Sequence, residues 1–463
     1  MMIWTDKQIH KALSLQTPDK SGTYGKIQFN SQEVEKNDIF IALKGKRDGH
    51  EFVADALARG ASAAIISKDV DPSIDSSKLI KVDNCLEALQ ELAEYKRKNS
   101  KAKFIAVTGS VGKTSTKEAI KMMLEPYGKT CASYGTFNNF LGVPLTLASI
   151  ADDAKYVVVE MGMNAKGELS EFSKQVIPDI AVITTVSEGH IEFFDSIEDI
   201  ADAKCEIFEG LDINDGIAII NRDISTYERC MENIDNVGLQ NVISFGKRLD
   251  ANIRLVLYEA MEDSSTRLKY NVLGEEIEIA MHSMPLHLCE NFAAAFAVIS
   301  TLKLDVELAA SAITAYQTVL GRGHVVSIAK GGKSYQVICD YYNSNPQSLR
   351  ASLLNLTQCQ SADKIAILGD MGELGKHSAA LHEAMISPIK DTGISKLFLI
   401  GDAMMPLAKA CPESIYVQCY KTADEMIADI DQQITGGELI LIKGSRSMQL
   451  EKIAKALGVK NVL

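Results

Sequence analysis

The stretch Lys103-Phe104-Ile105-Ala106-Val107-Thr108-Gly109-Ser110-Val111-Gly112-Lys113-Thr114 decides the fold of this chain. The aliphatic run over 103–108 predicts a buried strand, and a helical pattern follows from Lys117 to Leu124. Glycines between a strand and a helix let backbone N–H groups and the helix N-terminus point at phosphate oxygens. The sequence therefore predicts a nucleotide-phosphate loop formed by Thr108, Gly109, Ser110, Val111, Gly112, Lys113 and Thr114.

Two side chains of this loop suit a nucleoside triphosphate. Lys113 would neutralise the β- and γ-phosphates, and Thr114 would offer its hydroxyl to Mg²⁺. The usual spacing has a glycine six residues before the lysine, where this chain has Val107. The match is therefore to a shorter Gly-x-x-Gly-Lys-Thr form. The alternative is an ordinary strand-to-helix turn with an exposed lysine.

Similar aliphatic runs recur along the chain and alternate with helical patterns. They lie at 156–160, 180–184, 216–220, 364–368, 396–400 and 438–442. Runs without polar alternation suit strands that are covered on both faces, and their alternation with helices predicts a parallel, doubly wound α/β sheet. Most of these runs end in small or polar residues. Because ligands of open α/β sheets bind beyond the carboxyl ends of the strands, we expect the chemistry there.

Length and composition bound the class of protein. The 463 residues suggest roughly three domains, and the net charge of −13 argues against a general binder of nucleic acid or anionic membranes. The nine cysteines form no Cys-x-x-Cys pair, and the longest apolar stretch, about 292–302, is too short to span a bilayer. We therefore expect a cytoplasmic protein with reduced thiols and no stable membrane insertion.

Two breaks in the pattern divide the chain. A helical spacing of leucines over 84–99 ends in the basic connector 96–101, and a second break follows the helical stretch 306–318 at Gly321-Arg322-Gly323. We predict domains at 1–100, 101–320 and 321–463.

Three ionisable residues of the middle segment are candidates for the reaction. Glu160 ends a strand and is suited to hold Mg²⁺, although a carboxylate at a strand end is often only solvated. His190 follows another strand and is either a structural histidine, a metal ligand or an orienting donor. Local sequence alone favours a solvated surface lysine at Lys204.

The third segment has three polar clusters after apolar runs, at 340–346, 368–375 and 443–447. Turns rich in Asn, Gly and Pro are often only turns. Three of them at the strand ends of one domain favour a ligand-binding face.

Together these motifs resemble those of the Mur ligases of peptidoglycan synthesis, and most closely the MurF type, which adds D-alanyl-D-alanine. The resemblance covers the whole chain. It is carried by 38–45 and 48–52, the loop 108–114, 138–144, 160–162, His190, 203–206, 340–346, 368–375 and 443–446. The Gly-Asp-Met-Gly-Glu-Leu-Gly run at 369–375 and the Tyr-Asn-x-Asn-Pro turn at 342–346 point to this type. An Asp-Asn-Pro-Arg motif, which marks the preceding, diamino-acid-adding ligase, does not occur.

The resemblance implies a fold and a set of site residues. It implies a smaller α/β N-terminal domain that binds a UDP-sugar, a central P-loop domain with a parallel sheet, and a Rossmann-like C-terminal domain that binds the incoming dipeptide. The implied magnesium-site residues are Thr114, Glu160, His190 and a carbamylated Lys204, and Lys113, His190 and Lys204 are the implied catalytic residues. The implied nucleotide contacts outside the loop are Asn291, Arg322 and Asp340. The implied substrate-binding residues are Ser31, Lys44, Asp48, Gly49, His50, Asn138, Asn139, Asn343, Asn345 and Ser445.

Three positions depart from the pattern of the family. Asn30-Ser31-Gln32 stands where the family often has Asp-Ser-Arg, and Thr185 stands where it usually has asparagine. His287-Leu288 stands where it usually has His-Asn. These departures bear on single contacts at Gln32, Thr185 and Leu288, and leave the implied reaction class unchanged.

The implied reaction is formation of a peptide bond at the expense of ATP, by a monomer that uses Mg²⁺. The carboxylate of UDP-N-acetylmuramoyl-tripeptide would form an acyl phosphate, which the amine of D-alanyl-D-alanine would attack. Lysine and diaminopimelate both remain open as the third residue of the tripeptide. Two alternatives also remain: another amide ligase of the superfamily, diamino-acid-adding or of the folylpolyglutamate type, and a regulatory or motor ATPase with a phosphate loop.

Overall fold

The N-terminal part of the computed structural model is a small α/β unit. The model describes residues 2–16, 22–135, 137–261, 265–359 and 363–462. Strands β1 (Trp4–Thr5) and β2 (Thr23–Tyr24) pair antiparallel. A parallel sheet follows, in the order β3 (Ile27–Gln28), β4 (Ile39–Ile41), β5 (Ala63–Ile66) and β6 (Leu79–Lys81). The helices are α1 (Asp6–Ala12), α2 (Val53–Arg59) and α3 (Cys85–Asn99).

The central part is built on a nine-stranded sheet. Its strands are β7 (Lys103–Thr108), β8 (Thr130–Ala132), β9 (Tyr156–Glu160), β10 (Ile180–Ile183), β11 (Ile217–Asn221), β12 (Asn241–Gly246), β13 (Ile253–Ala260), β14 (Ser265–Val272) and β15 (Glu275–His282). They lie in the order β15-β14-β13-β12-β11-β10-β7-β9-β8. The helices are α4 (Lys113–Leu124), α5 (Gly142–Ala148), α6 (Glu168–Val176), α7 (Ile197–Cys205), α8 (Tyr227–Val237), α9 (Leu286–Thr301) and α10 (Val306–Ile313).

The C-terminal part carries a six-stranded sheet. Its strands are β16 (His324–Lys330), β17 (Lys333–Asp340), β18 (Lys364–Gly369), β19 (Lys396–Ile400), β20 (Tyr416–Tyr420) and β21 (Leu439–Lys443), in the order β16-β17-β21-β18-β19-β20. The helices are α11 (Pro346–Gln358), α12 (Ser378–Glu383), α13 (Ile386–Lys390), α14 (Ala423–Gln433) and α15 (Glu451–Leu457). No helix among the residues that the structure describes is long and apolar enough to cross a bilayer.

The predicted α/β class with parallel sheets is confirmed, with one addition. Strands β13, β14 and β15 pair antiparallel at the edge of the central sheet, and β16 pairs antiparallel with β17. Buried and exposed residues alternate along β15, as expected for a strand with one face packed and one face solvated. Continuous aliphatic runs could not reveal such strands. The predicted boundaries at 100 and 320 fall between the three large sheets and remain a prediction.

The register of the central sheet brings its polar strand ends together. In the parallel pairs, Val107 lies opposite Glu160, and Thr108 lies opposite Ile183. Ile183 in turn lies opposite Ile220. The residues that follow these strands therefore share one edge of the sheet, and the phosphate loop is among them.

The N-terminal unit is packed tightly against the central one. The indole N–H of the buried Trp4 donates to the carbonyl of Ala148 in α5, at 2.8 Å. The buried ammonium of Lys96 in α3 donates to the carbonyl of Ile3 at 2.6 Å and lies 2.5 Å from the carboxylate of Asp152. Apolar residues of α5 belong to the same core as those of the N-terminal sheet. This interface is therefore part of the folded core.

Replacing Trp4 should destabilise this interface. Trp4→Ala is expected to lower the free energy of unfolding of the N-terminal unit by about 3–5 kcal/mol, because a large buried ring and its hydrogen bond are lost together. Urea unfolding followed by far-ultraviolet circular dichroism measures this change. Met2→Ala, at an exposed neighbouring side chain, is the control and should change stability by less than about 0.5 kcal/mol. Equal effects of the two substitutions would contradict the description of the interface.

Candidate active site

The phosphate loop packs closely against neighbouring residues at two glycines. Gly109 and Gly112 have φ angles of 152° and 84°, which favour glycine. A Cβ at Gly109 would lie 1.9 Å from the Thr184 hydroxyl, and one at Gly112 would lie 2.9 Å from the amide oxygen of Asn291. The helix α4 begins directly at Lys113, so its first N–H groups have no intrahelical acceptor and face the turn. The loop has the backbone that phosphate binding requires.

Thr185, just after strand β10, makes two hydrogen bonds to the phosphate loop. Its hydroxyl accepts from the N–H of Val111 at 3.0 Å and donates to the carbonyl of the same residue at 3.1 Å. An asparagine side chain also offers one donor and one acceptor. Thr185, which stands where the family usually has asparagine, therefore still offers one donor and one acceptor, on a shorter side chain.

A cavity of about 320 Å³ lies between the loop and the C-terminal domain. The predicted site residues that line it are Ser110, Val111, Gly112, Lys113, Asn138, Glu160, His190, Asn291, Arg322, Asp340, Asn343 and Asn345. Among the predicted site residues of the central and C-terminal domains, those that do not line it are Thr108, Gly109, Thr114, Asn139, Lys204 and Ser445. Residues of the central and C-terminal domains thus meet around one space, as the sequence predicted for the nucleotide.

Glu160 is buried at the wall of this cavity. One carboxylate oxygen accepts from the side-chain amide of Asn138 at 2.9 Å, and the other has no hydrogen-bond partner among the described residues. The buried hydroxyl of Thr114 also has none. A buried carboxylate oxygen without a donor is costly unless a cation or a ligand meets it. Both oxygens lack a hydrogen-bond donor, although the buried ammonium of Lys117 lies 4.0 Å from the one on Glu160. Two such oxygens beside a phosphate loop fit the donor preference of Mg²⁺.

The two lysines of the site are both shifted towards the neutral form. Burial lowers the pKa of Lys113, and the carboxylate of Glu160 opposes that shift. Burial lowers the pKa of Lys204 well below its usual value, and the charge of Lys113 adds to the effect. Lys204 is buried in α7, so the surface-lysine alternative is wrong.

His190 meets a carboxylate from the C-terminal domain. Its Nδ1 lies 2.7 Å from Oε2 of Glu373, which follows β18. The close approach of His190 lowers the pKa of the Glu373 carboxyl, and the charge of Lys113 contributes further. Glu373 was not singled out from the sequence. The Gly-Asp-Met-Gly-Glu-Leu-Gly run contained it, but no local pattern pairs it with a histidine 183 residues away.

No group of three or more His, Cys, Asp or Glu residues that could hold a metal ion occurs in the described part of the chain. The predicted magnesium-site residues are therefore not a preformed cage of carboxylates and imidazoles. They suit a cation that takes most of its oxygen ligands from phosphate groups and water.

The C-terminal domain contributes a charged cluster. Asp340, at the end of β17, accepts from the Lys443 ammonium at 2.7 Å and from the Ser352 hydroxyl at 2.5 Å. The guanidinium of Arg322 stacks on the ring of Tyr342, 4.2 Å from its centroid. Arg322 and Lys443 therefore bring positive charge to the cavity of an acidic protein.

His287 is a further cavity residue. Burial lowers its pKa to about 4, so the imidazole is neutral near pH 7. Its neighbour Leu288 is buried and also lines the cavity. The side chain at 288 therefore offers the cavity an apolar contact and no hydrogen bond.

Three residues predicted to bind the amine substrate make hydrogen bonds within the protein. Asn345 caps α11, accepting from the N–H of Ser348 at 2.8 Å, and Asn343 accepts from the N–H of Ser344 at 2.9 Å. The hydroxyl of Ser445 lies 3.1 Å from that of Ser447. Asn343 and Asn345 line the cavity and Ser445 lies behind it, next to Gly372. Their role toward a ligand stays a prediction.

A second cavity, of about 360 Å³, lies at the N-terminal unit. It is lined by Lys44, Asp48 and His50. Asp48 accepts from the backbone and ring nitrogens of His50, and His50 Nε2 accepts from the N–H of Ser67 at 3.0 Å. The ion pair with Lys68 and these hydrogen bonds lower the pKa of Asp48.

Gly49 and Ser31 are placed by packing near this turn. A Cβ at Gly49 would lie 2.6 Å from the carbonyl oxygen of Leu43, so the turn requires glycine. Ser31 is buried outside the cavity lining and, with Arg59, lowers the pKa of Asp55. Gln32, next to it, is exposed, and its backbone N–H donates to the Asn30 side chain at 3.1 Å.

One short segment connects the two cavities. Asn138 lines the cavity beside the phosphate loop, together with Glu160, and Phe140 and Leu141 line the N-terminal one. Between them, the side chain of Asn139 accepts from the N–H groups of Leu141 and Gly142 and so fixes the turn into α5. A ligand that extends from one cavity to the other would pass along 138–141.

Comparison with known proteins gives this arrangement a family. Models described as "Mur ligase family, catalytic domain", "Mur ligase middle domain" and "Mur ligase, glutamate ligase domain" match residues 23–97, 107–299 and 321–446. The UDP-N-acetylmuramoyl-tripeptide–D-alanyl-D-alanine ligase of Rickettsia prowazekii (strain Madrid E) is 42% identical over 98% of this chain and 99% of its own length. The chain belongs to the Mur ligase family.

Solved structures of Mur ligases share the whole architecture. Crystal structure I of MurF from Acinetobacter baumannii has a TM-score of 0.81 at 27% identity, over 98% of both chains. The MurF ligase from Thermotoga maritima in complex with ADP has a TM-score of 0.77 at 25% identity, over 94% of this chain and 97% of that one. The match over 23–97 contradicts the alternative of a regulatory or motor ATPase, which would lack the first domain.

Filling the space at Gly109 should weaken nucleotide binding by this Mur ligase. Gly109→Ala is expected to weaken ADP binding at least tenfold, because the new methyl group would overlap Thr184 and displace the loop. Isothermal titration with Mg·ADP measures the affinity. Gly167→Ala is the control, since Gly167 also has a positive φ but has open space around it. Unchanged affinity in Gly109→Ala would show that the loop does not hold the nucleotide.

Proposed function

We propose that this Mur ligase joins D-alanyl-D-alanine to UDP-N-acetylmuramoyl-tripeptide and that ATP drives the reaction through an acyl phosphate. The observation that carries the proposal is the end-to-end similarity to the Rickettsia prowazekii ligase of that name. The contact of the phosphate loop with residues of the C-terminal domain around one cavity agrees with it. The enzyme acts as a monomer on small-molecule substrates, with no nucleic-acid or membrane partner.

The electrostatics of the cavity match the first chemical step. A carboxylate that attacks the γ-phosphate of ATP meets strong repulsion between negative charges. Lys113 and Arg322 line the cavity and would offset the negative charge of the phosphates there. Mg²⁺, held by Thr114 and Glu160, would supply further charge neutralisation at the phosphates. Positioning and electrostatics suffice, and no covalent enzyme intermediate is required.

The two cavities suggest how the substrates are arranged. The UDP-sugar would bind over Lys44, Asp48 and His50, and its peptide would follow the segment 138–141 towards Glu160. ATP would lie against the loop, with Asn291 near the base and Arg322 and Asp340 from the C-terminal domain. The dipeptide would enter from the side of Asn343 and Asn345. In this arrangement the three substrates meet between Lys113 and His190.

The environment of Lys204 suits carbamylation. Attack of an amine on CO₂ requires the neutral amine, and burial favours that form of Lys204. The neutral amine would form an N–C bond to CO₂ and release one proton, which leaves a carbamate anion. A carbamate would offer oxygen ligands to Mg²⁺ and would give Lys113 a negatively charged neighbour.

The substrate requirement of phosphate release tests the proposed function. Phosphate release from ATP should require both UDP-N-acetylmuramoyl-tripeptide and D-alanyl-D-alanine, because the dipeptide amine is the nucleophile that expels phosphate. Release measured with each substrate omitted, and with pteroyl-glutamate in place of the nucleotide sugar, gives the answer. Release that proceeds without the dipeptide, or that pteroyl-glutamate supports equally well, would contradict the proposal.

Lys204→Ala should lose activity that a small carboxylate restores in part. We expect kcat to fall at least 100-fold and to recover several-fold with added formate or acetate, which would replace the carbamate oxygens at the same place. Phosphate release measures both effects. Lys174→Ala is the control, because Lys174 is an exposed lysine of the neighbouring helix α6 and is paired with Glu209. Full activity of Lys204→Ala would refute the carbamate.

A further inference from the structure

A second lysine of the helix that follows the phosphate loop is completely buried. Lys117 lies one turn after Lys113 in α4, and its side chain has no exposed surface. Residues four apart lie on the same face of a helix, so the two ammonium groups can act on the same neighbours. A buried cation is costly unless nearby groups compensate it. The neighbours of Lys117 therefore indicate what it does.

Two backbone carbonyls accept the hydrogen bonds of Lys117. Its ammonium donates to the carbonyl of Ser133 at 2.7 Å and to that of Gly135 at 3.0 Å. Both residues follow strand β8, and Asn138, which donates to Glu160, comes three residues after Gly135. Lys117 thus holds the start of the segment that reaches Glu160. Carbonyl groups can solvate an ammonium, but only an anion neutralises it.

Two carboxylates near Lys117 differ in exposure. Oε1 of Glu118 lies 2.8 Å from the ammonium, and 32% of the Glu118 side chain is exposed. Oε2 of Glu160 lies 4.0 Å from the same ammonium, and only 1% of that side chain is exposed. Water can solvate the carboxylate of Glu118, whereas that of Glu160 depends on the protein. The two buried charges of Lys117 and Glu160 therefore compensate each other inside the central domain.

The oxygen of Glu160 that faces Lys117 is also the one suited to Mg²⁺. Oε2 accepts no hydrogen bond from the described residues, whereas Oε1 accepts from Asn138 at 2.9 Å. In the metal-free protein, the ammonium at 4.0 Å stabilises the charge of Oε2. A Mg²⁺ ion on Oε2 and the ammonium would repel each other, because both are cations beside one carboxylate. Lys117 therefore stabilises the metal-free form and opposes the binding of Mg²⁺.

We propose that Lys117 is a positioning residue, an internal counter-ion of Glu160 that limits how strongly nucleotide binding depends on Mg²⁺. Glu118 takes part, because its negative charge offsets that of Lys117 when the metal ion binds. A limited affinity for the metal suits an enzyme that has to release ADP after each reaction. The inference rests on the placement of Mg²⁺ at Glu160 in the proposed function. It does not depend on which acid and amine the enzyme joins.

Two substitutions in this group should have opposite effects. Lys117→Gln removes the positive charge and keeps an N–H donor for the carbonyls of Ser133 and Gly135. Glu118→Gln removes the negative charge that offsets Lys117, at a side chain that is partly exposed. Lys121→Gln is the matched control. It also removes a positive charge from α4, one turn further on, where the ammonium lies 3.7 Å from the carboxylate of Glu125.

The dependence of ADP affinity on the metal tests the proposal. Isothermal titration of the full-length protein gives the affinity for ADP with excess Mg²⁺ and with the metal removed by a chelator, and the ratio of the two measures the coupling. In Lys117→Gln the ratio should rise about three- to tenfold, because the repulsion is gone. In Glu118→Gln it should fall about threefold, because the charge of Lys117 is less compensated. Lys121→Gln should stay within about twofold of the wild type, because its charge is exposed and screened.

Thermal unfolding gives a second readout that needs no catalysis. Without metal, Lys117→Gln should have a lower Tm than the wild type, because Glu160 is then buried without its counter-ion. Mg·ADP should raise Tm of this variant by more than it raises that of the wild type, since the metal ion replaces the missing charge. Glu118→Gln changes a partly exposed side chain and should fold normally, so its ratio tests the proposal even if Lys117→Gln does not fold.

Three results would overturn the proposal. If the ratio in Lys117→Gln falls or stays within twofold of the wild type, the ammonium does not oppose the metal ion. If Lys117→Gln and Glu118→Gln change the ratio in the same direction, the cause is a disturbed helix and not charge. If Glu160→Gln leaves the ratio unchanged, Mg²⁺ does not bind at Glu160 and the inference fails with that placement. A failure of the proposed reaction would appear differently, as absent phosphate release by a protein whose ratios follow the expected pattern.

Discussion

Two positions of the phosphate loop have no room for a side chain, and the arrangement of the site depends on them. Gly109 lies against Thr184 of the neighbouring strand end, and Gly112 lies against Asn291 of α9. Such an approach is possible because β7 and β10 are adjacent and parallel, with Thr108 opposite Ile183. The same register carries Glu160 to this edge from β9. The sheet therefore places the phosphate loop and the Glu160 carboxylate at one edge, next to α9.

The two domain interfaces serve different purposes. The N-terminal unit shares a hydrophobic core with α5, so its cavity has a fixed relation to Glu160 through the segment 138–141. The C-terminal domain meets the cavity through charged and hydrogen-bonding groups, among them Arg322, Asp340 and Glu373. A ligase has to hold one acid substrate while it admits and releases a nucleotide and an amine. The apolar core that the central and C-terminal domains share lies outside the cavity, whereas the cavity itself has polar walls from both domains.

Much of this architecture could be predicted from local sequence. The strands at 103–108, 156–160 and 396–400 have the predicted bounds, because fully buried parallel strands leave a continuous aliphatic run. The helix predicted over 84–99 begins at Cys85, with Asn84 as its cap. The helix predicted to reach residue 318 ends at Ile313 instead. The residues that follow, up to Gly321, form a turn and a loop.

The remaining features depend on contacts between distant segments. Lys204 has an ordinary local sequence, and its burial beneath the loop arises from the packing of α7. Asn139 and Asn345 match family motifs, yet their oxygens are already used to fix turns. The pairing of His190 with Glu373 requires two domains to meet, and a left-handed backbone at a glutamate leaves no mark in the sequence. Local patterns identify which residues have suitable chemistry, whereas tertiary contacts determine which of them can act.

The central claim is that the three domains bring a carboxylate to the γ-phosphate of ATP at the phosphate loop. Transfer of oxygen from that carboxylate to phosphate tests this claim most directly. UDP-N-acetylmuramoyl-tripeptide is labelled with oxygen-18 in its terminal carboxylate, and the phosphate released in the presence of D-alanyl-D-alanine is analysed by mass spectrometry. An acyl phosphate requires one labelled oxygen in each phosphate released. Phosphate that carries no label, while the pentapeptide product still forms, would contradict the claim.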